Sequence, residues 1–189
     1  MRRKEKKKSE LFEWSKAVVI ALLVAFVVRT FIFTPIVVDG KSMNPTLNNE
    51  DRMIVTKIGK LERFDIIVFH ANEKEDYIKR IIGLPGDKLE YKNDVLYING
   101  KAYEEKYLNQ EKKRLKEELG EDVLLTENFT LEDYTQYKTV PDNTLFVMGD
   151  NRRDSKDSRQ IGVIPIDKVL GTTKIVFWPI SDIKIVKEY

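Results

Sequence analysis

The chain has 189 residues, 42% hydrophobic and 34% charged, which suits one domain with its own core plus an appendage, and nine Gly and six Pro give no sign of a disordered or fibrous class. There is no cysteine, which excludes disulfide frameworks, thiolate metal sites and cysteine nucleophiles, and a single histidine, His70, which excludes a His-built metal cluster within one chain. The net charge of +2 is uneven: residues 1–10 (MRRKEKKKSE) carry six Lys/Arg and two Glu, +4, leaving −2 for the rest, so the body shows no nucleic-acid footprint.

That basic segment, 1–16, precedes the most apolar stretch of the chain, AVVIALLVAFVVRTFIF at 17–33. At helical rise it spans roughly 25 Å, and extension through Val38 reaches membrane length. Trp14 and Arg29 lie toward its two ends, as an interfacial aromatic and a snorkelling cation would. A transmembrane anchor over 17–34 is expected, in contact with membrane lipid. The basic flank keeps the N-terminus cytoplasmic and places 35–189 on the extracytoplasmic side. A cleaved signal peptide is disfavoured because RTFIFTPIV lacks a small-x-small pair, and a soluble core helix does not explain the basic flank.

From residue 36 the pattern is of short strands. PIVVDG, DRMIVTKI, FDIIVFH and YIKRIIG are β-branched and aromatic runs, the last closed by LPGD. Residues 87–103 read as strand, turn at Lys92–Asp94, strand, and a hairpin-type turn at Asn99-Gly100. Residues 104–122 are charged and helix-prone, with Tyr107, Leu108, Leu115 and Leu119 as a thin apolar stripe, and read as a solvated helix or a mobile insertion within 104–139. NTLFVMGDNR and GTTKIVFWPI return to strand. The expected fold is mainly β: a compact folded-sheet or barrel-like domain with one polar, partly helical excursion.

Three segments are unlike plain scaffold. In DGKSMNPT, Ser42 follows a Gly-containing turn, where a hydroxyl can stand exposed for nucleophilic attack; turn chemistry alone also accounts for it. In EDYIKRIIGLPGDK, Lys79 shares a strand face with Tyr77 and Ile81. Burial there would lower its pKa and make it a general base able to replace His in activating serine; a packed stem with its ammonium in water is the alternative. In MGDNRRDSKDSR, 148–159, a calcium loop fails, because Arg152, Ser155 and Ile161 occupy positions that need a ligand, a Gly and a Glu. A hydrogen-bonded turn with exposed ion pairs remains open there.

SMNPT, YIKRIIGLPGD and GDNRRDSKDSR, in that order behind an apolar N-terminal segment, resemble bacterial type I signal peptidases of the Gram-positive type, from the anchor through GTTKIVFWP. The resemblance implies a serine–lysine endopeptidase that removes signal peptides from exported preproteins with small residues at the first and third positions before the cut, and needs no cofactor or metal. It assigns Ser42 as nucleophile and Lys79 as general base. Ser155 would orient the lysine, Asp150 would pair with Arg80, and Asp157 with Arg159. Met43 follows the nucleophile as the family expects, and with Gly40 and Tyr77 is assigned to the oxyanion hole and substrate contacts. Gly40 departs from the Gram-negative pattern, which has Ser or Thr there, so the second oxyanion donor would be the Gly40 backbone or a water. Two other readings stay open: a tethered, non-catalytic β-domain that binds partners, and a self-cleaving serine–lysine protease, against which the apolar segment counts.

Overall fold

The computed structural model describes residues 2–31, 33–57 and 59–186, with side chains described for 12–26, 34–57 and 59–186. A long helix, α1 (Arg2–Phe31), leads into strands β1 (Phe33–Val37), β2 (Arg52–Thr56), β3 (Ile66–His70) and β4 (Asp76–Gly83). The excursion follows: β5 (Leu89–Lys92), β6 (Val95–Ile98), β7 (Lys101–Tyr103), α2 (Asn109–Leu119), β8 (Phe129–Thr130) and α3 (Leu131–Tyr134). The chain then returns through β9 (Thr144–Met148), α4 (Ser158–Ile161), β10 (Ile164–Pro165), β11 (Val169–Trp178) and β12 (Lys184–Ile185). The domain is mainly β, as its alternating sequence predicts.

The strands form two sheets. The larger runs β1-β2-β11-β3-β4-β9-β10, with β12 also on β11; the smaller runs β7-β6-β5-β8. Every ladder is antiparallel, so short turns suffice as connections. The two turns anticipated at 92–94 and 99–100 are present: Asn93 (φ 50°), Asp94 (φ 62°), Asn99 (φ 52°) and Gly100 (φ 79°) all take the positive φ that two-residue hairpins require. One apolar cluster fills the space between the sheets, with Ile82, Leu89, Tyr91, Phe129 and Phe146 at its centre. A second, with Val38, Met43, Leu47, Met53 and Val68, packs beneath the β1–β2 loop.

The charged excursion is more tightly packed than expected. Leu108, Leu115 and Leu125 form a small buried cluster, while Leu119 is exposed. Periodicity identified the helix but not its partner, which is the following segment Val123–Leu125.

Among the described residues no helix is long and apolar enough to cross a membrane, so the transmembrane helix expected over 17–34 is not supported there. Of the run on which that expectation rests, the described side chains cover Ala17–Phe26. The side chains of 27–33, on which the rest of that expectation falls, and those of the basic residues 1–11 lie outside the described residues. Within 12–26, Phe12, Trp14, Leu22, Leu23 and Phe26 are exposed.

Candidate active site

Three segments converge. The β1–β2 loop carries Ser42. It is closed by backbone hydrogen bonds from Val38 N–H to the Asp51 carbonyl and from Glu50 N–H to the Val38 carbonyl, both 2.8 Å. Met43 and Leu47, both buried, pin its inner side, each burial worth about 1.5–3 kcal/mol. Gly40 sits at φ +98° with open space around the position of a Cβ. Conformation therefore selects glycine here, and a hydroxyl-bearing residue would need a different turn. The Gly40 N–H donates to Asn49 Oδ1 at 2.8 Å, so the backbone donor suggested for the oxyanion hole is already engaged.

The second segment is β4, held on one side by β3 with Lys79 opposite Ile67. Its alternation sends Tyr77 and Ile81 into one cluster and Ile82 into another. Lys79 is 4% exposed. Its Nζ donates to Ser42 Oγ at 2.8 Å and to the Ile78 carbonyl at 2.9 Å, and lies 5.1 Å from the centre of the Tyr77 ring. Burial lowers the Lys79 pKa from 10.5 to about 8, outweighing the Asp157 and Asp150 carboxylates, which pull it upward.

The third segment is the turn 149–157 after β9. Gly149 is the point of closest approach: a Cβ there would meet Ser155 Oγ, the Ser42 carbonyl and, at 2.6 Å, Ser155 Cβ. Asn151 N–H donates to the Ser42 carbonyl at 3.0 Å. Ser155 thus lies beside the Ser42 backbone, but its Oγ is buried without a hydrogen-bond partner among the described residues, and Lys79 Nζ bonds to Ser42 and Ile78 rather than to it. Asp157 caps α4, accepts from Gly149 N–H at 3.0 Å and pairs with Arg159 through two contacts of 2.8 Å. Burial alone would raise its carboxyl; Arg159 and the Gly149 N–H together hold it below the ordinary value.

Arg80, next to Lys79, points into the protein. It grips Asp150 bidentately at 2.8 and 2.6 Å and donates to the Phe64 carbonyl at 2.8 Å, with side chains 1% and 0% exposed. The alternation of β4 thus sends two adjacent cations to different tasks. His70 ends β3, exposed, with Nδ1 2.6 Å from Asp76 Oδ1.

One constellation escapes the sequence reading. Arg152, assigned there to a polar turn, is fully buried and pairs with Glu105 from the charged excursion at 2.5 Å. Tyr91 OH and Tyr107 OH both donate to Glu105 Oε1, at 2.9 and 2.6 Å, and Arg152 donates to Thr126 Oγ1 at 3.1 Å. Burial would raise the Glu105 carboxyl, but Arg152 overrides it and holds it below its ordinary value. Tyr107 also lies under Arg80, 3.9 Å from ring centre to guanidinium. No periodic signal marks a Glu or Arg for burial when the partner lies 47 residues away. Asn151 and Gly149 were likewise unassigned, although both stand inside the GDNRR run.

Ser42 and Lys79 open into a cleft of about 440 Å³ between residues 36–43 and 76–79, with Met43, Tyr77 and Lys156 also on its wall. No group of three or more acidic or His side chains suited to a metal occurs among the described residues. The arrangement can attack a carbonyl: a hydroxyl, a buried amine in hydrogen-bond contact with it, and a cleft of mixed polar and apolar lining alongside.

Residues 11–178 match the family described as signal peptidase, peptidase S26. The chain is 49% identical over 183 residues to signal peptidase I S of Bacillus subtilis (94% of this chain, 95% of the relative). It is 45% identical over 183 residues to signal peptidase I of Bacillus caldolyticus (95% and 96%). It is 43% identical over 185 residues to signal peptidase IB of Staphylococcus aureus (94% of each). A crystal structure of a signal peptidase I from Enterococcus faecalis superposes with a TM-score of 0.56 at 42% identity, covering 61% of this chain and 97% of that one. A matched span that runs through all three converging segments, and relatives matched over nearly their whole length, place this chain in the signal peptidase family of serine peptidases, S26.

Proposed function

We propose that this chain cleaves N-terminal signal peptides from exported preproteins, with Ser42 as nucleophile and Lys79 as general base. The observation that carries the proposal is the 2.8 Å contact of Lys79 Nζ with Ser42 Oγ, made by an amine whose pKa burial lowers to about 8. Ser42 Oγ attacks the scissile carbonyl as Lys79 takes its proton. The resulting ammonium then gives a proton to the leaving amine, the acyl–serine ester forms, and a water activated by the same amine hydrolyses it. Ser155 would orient the amine once the Ser42 hydroxyl has reacted, which its unpartnered Oγ beside the site permits. The Arg80–Asp150 and Asp157–Arg159 pairs hold the two backbones that carry the dyad and its neighbours.

Substrate recognition follows from the edges. β9 pairs with β4 only from Arg80 onward, so Asp76–Lys79 have an open side toward the cleft. An extended peptide adding there gains main-chain hydrogen bonds, and Ile36, Val38, Val68 and Ile78 offer shallow apolar pockets that favour small side chains. We further propose that the apolar run 17–34 inserts in the bilayer with the basic N-terminus on the cytoplasmic side. The exposed apolar side chains of α1 and the charge asymmetry of the sequence support this.

The test is cleavage of a preprotein by the full chain. Ser42→Ala and Lys79→Ala should both fold and both lose cleavage by about 10³-fold or more; activity retained in either removes the dyad. Protease added to intact cells should digest 35–189 and spare the N-terminus, and the reverse pattern overturns the topology.

A further inference from the structure

Acyl transfer needs a hydrogen-bond donor for the oxyanion that develops on the scissile carbonyl. Gly40 N–H is taken by Asn49 Oδ1 (2.8 Å), which leaves Ser42 N–H as the donor adjacent to the reacting hydroxyl. Its direction is set by the Lys41–Ser42 peptide, because in a trans peptide the N–H and the preceding C=O point opposite ways. The Lys41 carbonyl is held by two donors: Asn44 N–H from its own turn at 3.0 Å, and Asn151 Nδ2 from the facing loop at 3.2 Å. The next carbonyl, that of Ser42, accepts Asn151 N–H at 3.0 Å. One residue of the 149–157 turn therefore grips both carbonyls that flank the nucleophile's backbone.

We infer that Asn151 is a positioning residue for the oxyanion hole: its amide holds the Lys41 carbonyl toward the 149–157 turn and thereby turns the Ser42 N–H toward the cleft. The inference rests on the Ser42–Lys79 reading. It also gives a reason for an amide at 151. A carboxylate there has no proton to donate to the Lys41 carbonyl, and an aliphatic side chain leaves the peptide held by its own turn alone.

The experiment uses the full chain with Asn151→Ala and Asn151→Asp, a preprotein substrate, and a peptide boronate that forms a tetrahedral adduct on the serine. Loss of one such hydrogen bond should lower kcat by about fivefold to tenfold in Asn151→Ala, and at least as much in Asn151→Asp. KM should stay within about twofold of wild type, because the bond matters only once charge has developed on the oxygen. Boronate affinity should fall by the same factor as kcat. In Asn151→Ala the midpoint of the pH–rate profile should stay near 8, because Lys79 and the carboxylates that act on it are untouched. Wild-type kcat and boronate affinity in both variants would overturn the inference. A loss matched by weaker substrate binding, or by a displaced midpoint in Asn151→Ala, would overturn it too, since Asn151 would then be supporting the loop as a whole. Ser42→Ala in parallel separates the layers: if it is active, the dyad itself is wrong; if it is inactive while the Asn151 variants are unaffected, only the positioning role falls.

Discussion

Replacing Lys79 by Met should make the protein more tolerant of neutral pH while destroying its activity, and the size of the effect follows from the lysine's surroundings. The folded chain holds the Lys79 pKa at about 8, against 10.5 for a solvated lysine. Between those values the unfolded chain binds more protons than the native one, so the lysine's contribution to stability rises with pH across that window. Below about pH 8 the fold carries the full cost of a desolvated ammonium. At about 1.36 kcal/mol per tenfold change, that cost is about 3 kcal/mol, and it disappears above pH 10.5. Methionine has a similar reach and no titrating group. It also gives up the amine's hydrogen bonds to Ser42 and Ile78, each worth about 1 kcal/mol, so the absolute difference between the two proteins combines several effects. The pH dependence of that difference isolates the lysine. Denaturant unfolding of wild type and Lys79→Met at pH 7, 8, 9 and 10.5 should show the variant's relative stability shrinking by about 3 kcal/mol from the lowest to the highest pH. Other lysines and tyrosines titrate equally in both proteins and cancel. A difference constant within about 0.5 kcal/mol, or one that grows with pH, would refute the claim that burial lowers this amine.

Other consequences are as direct. At pH 7 about a tenth of the Lys79 amines are neutral, so kcat/KM should climb about tenfold per pH unit below 7 and level off above 8; a rate still climbing at pH 10 excludes the assigned base. Gly149→Ala should cut kcat by about 10²-fold or more, because the added methyl collides with Ser155 and the Ser42 carbonyl and displaces the nucleophile; wild-type turnover in this variant would show that the loop yields freely. Asp150→Asn should cost about 3–5 kcal/mol in denaturant unfolding, since Arg80 stays buried with its countercharge gone. It should also move the midpoint of the pH–rate profile downward, because Asp150 raises the lysine; an upward move contradicts that. Glu105→Gln should destabilise by a similar amount through Arg152, and a loss under 1 kcal/mol would show that the tyrosines suffice to solvate that guanidinium.

The strands, both hairpin turns and the Ser42 and Lys79 segments were readable because each writes its structure locally: alternation for β4, Asn-Gly for the turn at 99–100, Gly before the serine for an exposed hydroxyl. What was not readable is long-range. Glu105 and Tyr107 stand in a run whose composition predicts a solvated face, and only the arrival of Arg152 from the far side of the chain makes their burial tolerable. Asn151 looks like any turn residue until the carbonyls of Lys41 and Ser42 are brought against it. The folded-sheet or barrel-like expectation left open how the strands group, and they form two sheets, because strand alternation fixes faces, not which strands meet.

The joint between Arg152 and Glu105 means that the charged excursion is not an interchangeable ornament. A chimaera that grafts residues 104–126 from a distant relative would have to import the glutamate and the Tyr107 phenol together, to meet the Tyr91 phenol and Arg152 of the host. Otherwise it strands a guanidinium one residue from the amide that steadies the nucleophile's backbone. Divergence in this stretch should therefore be confined to its outer helix, where Lys113, Arg114 and Glu118 face water.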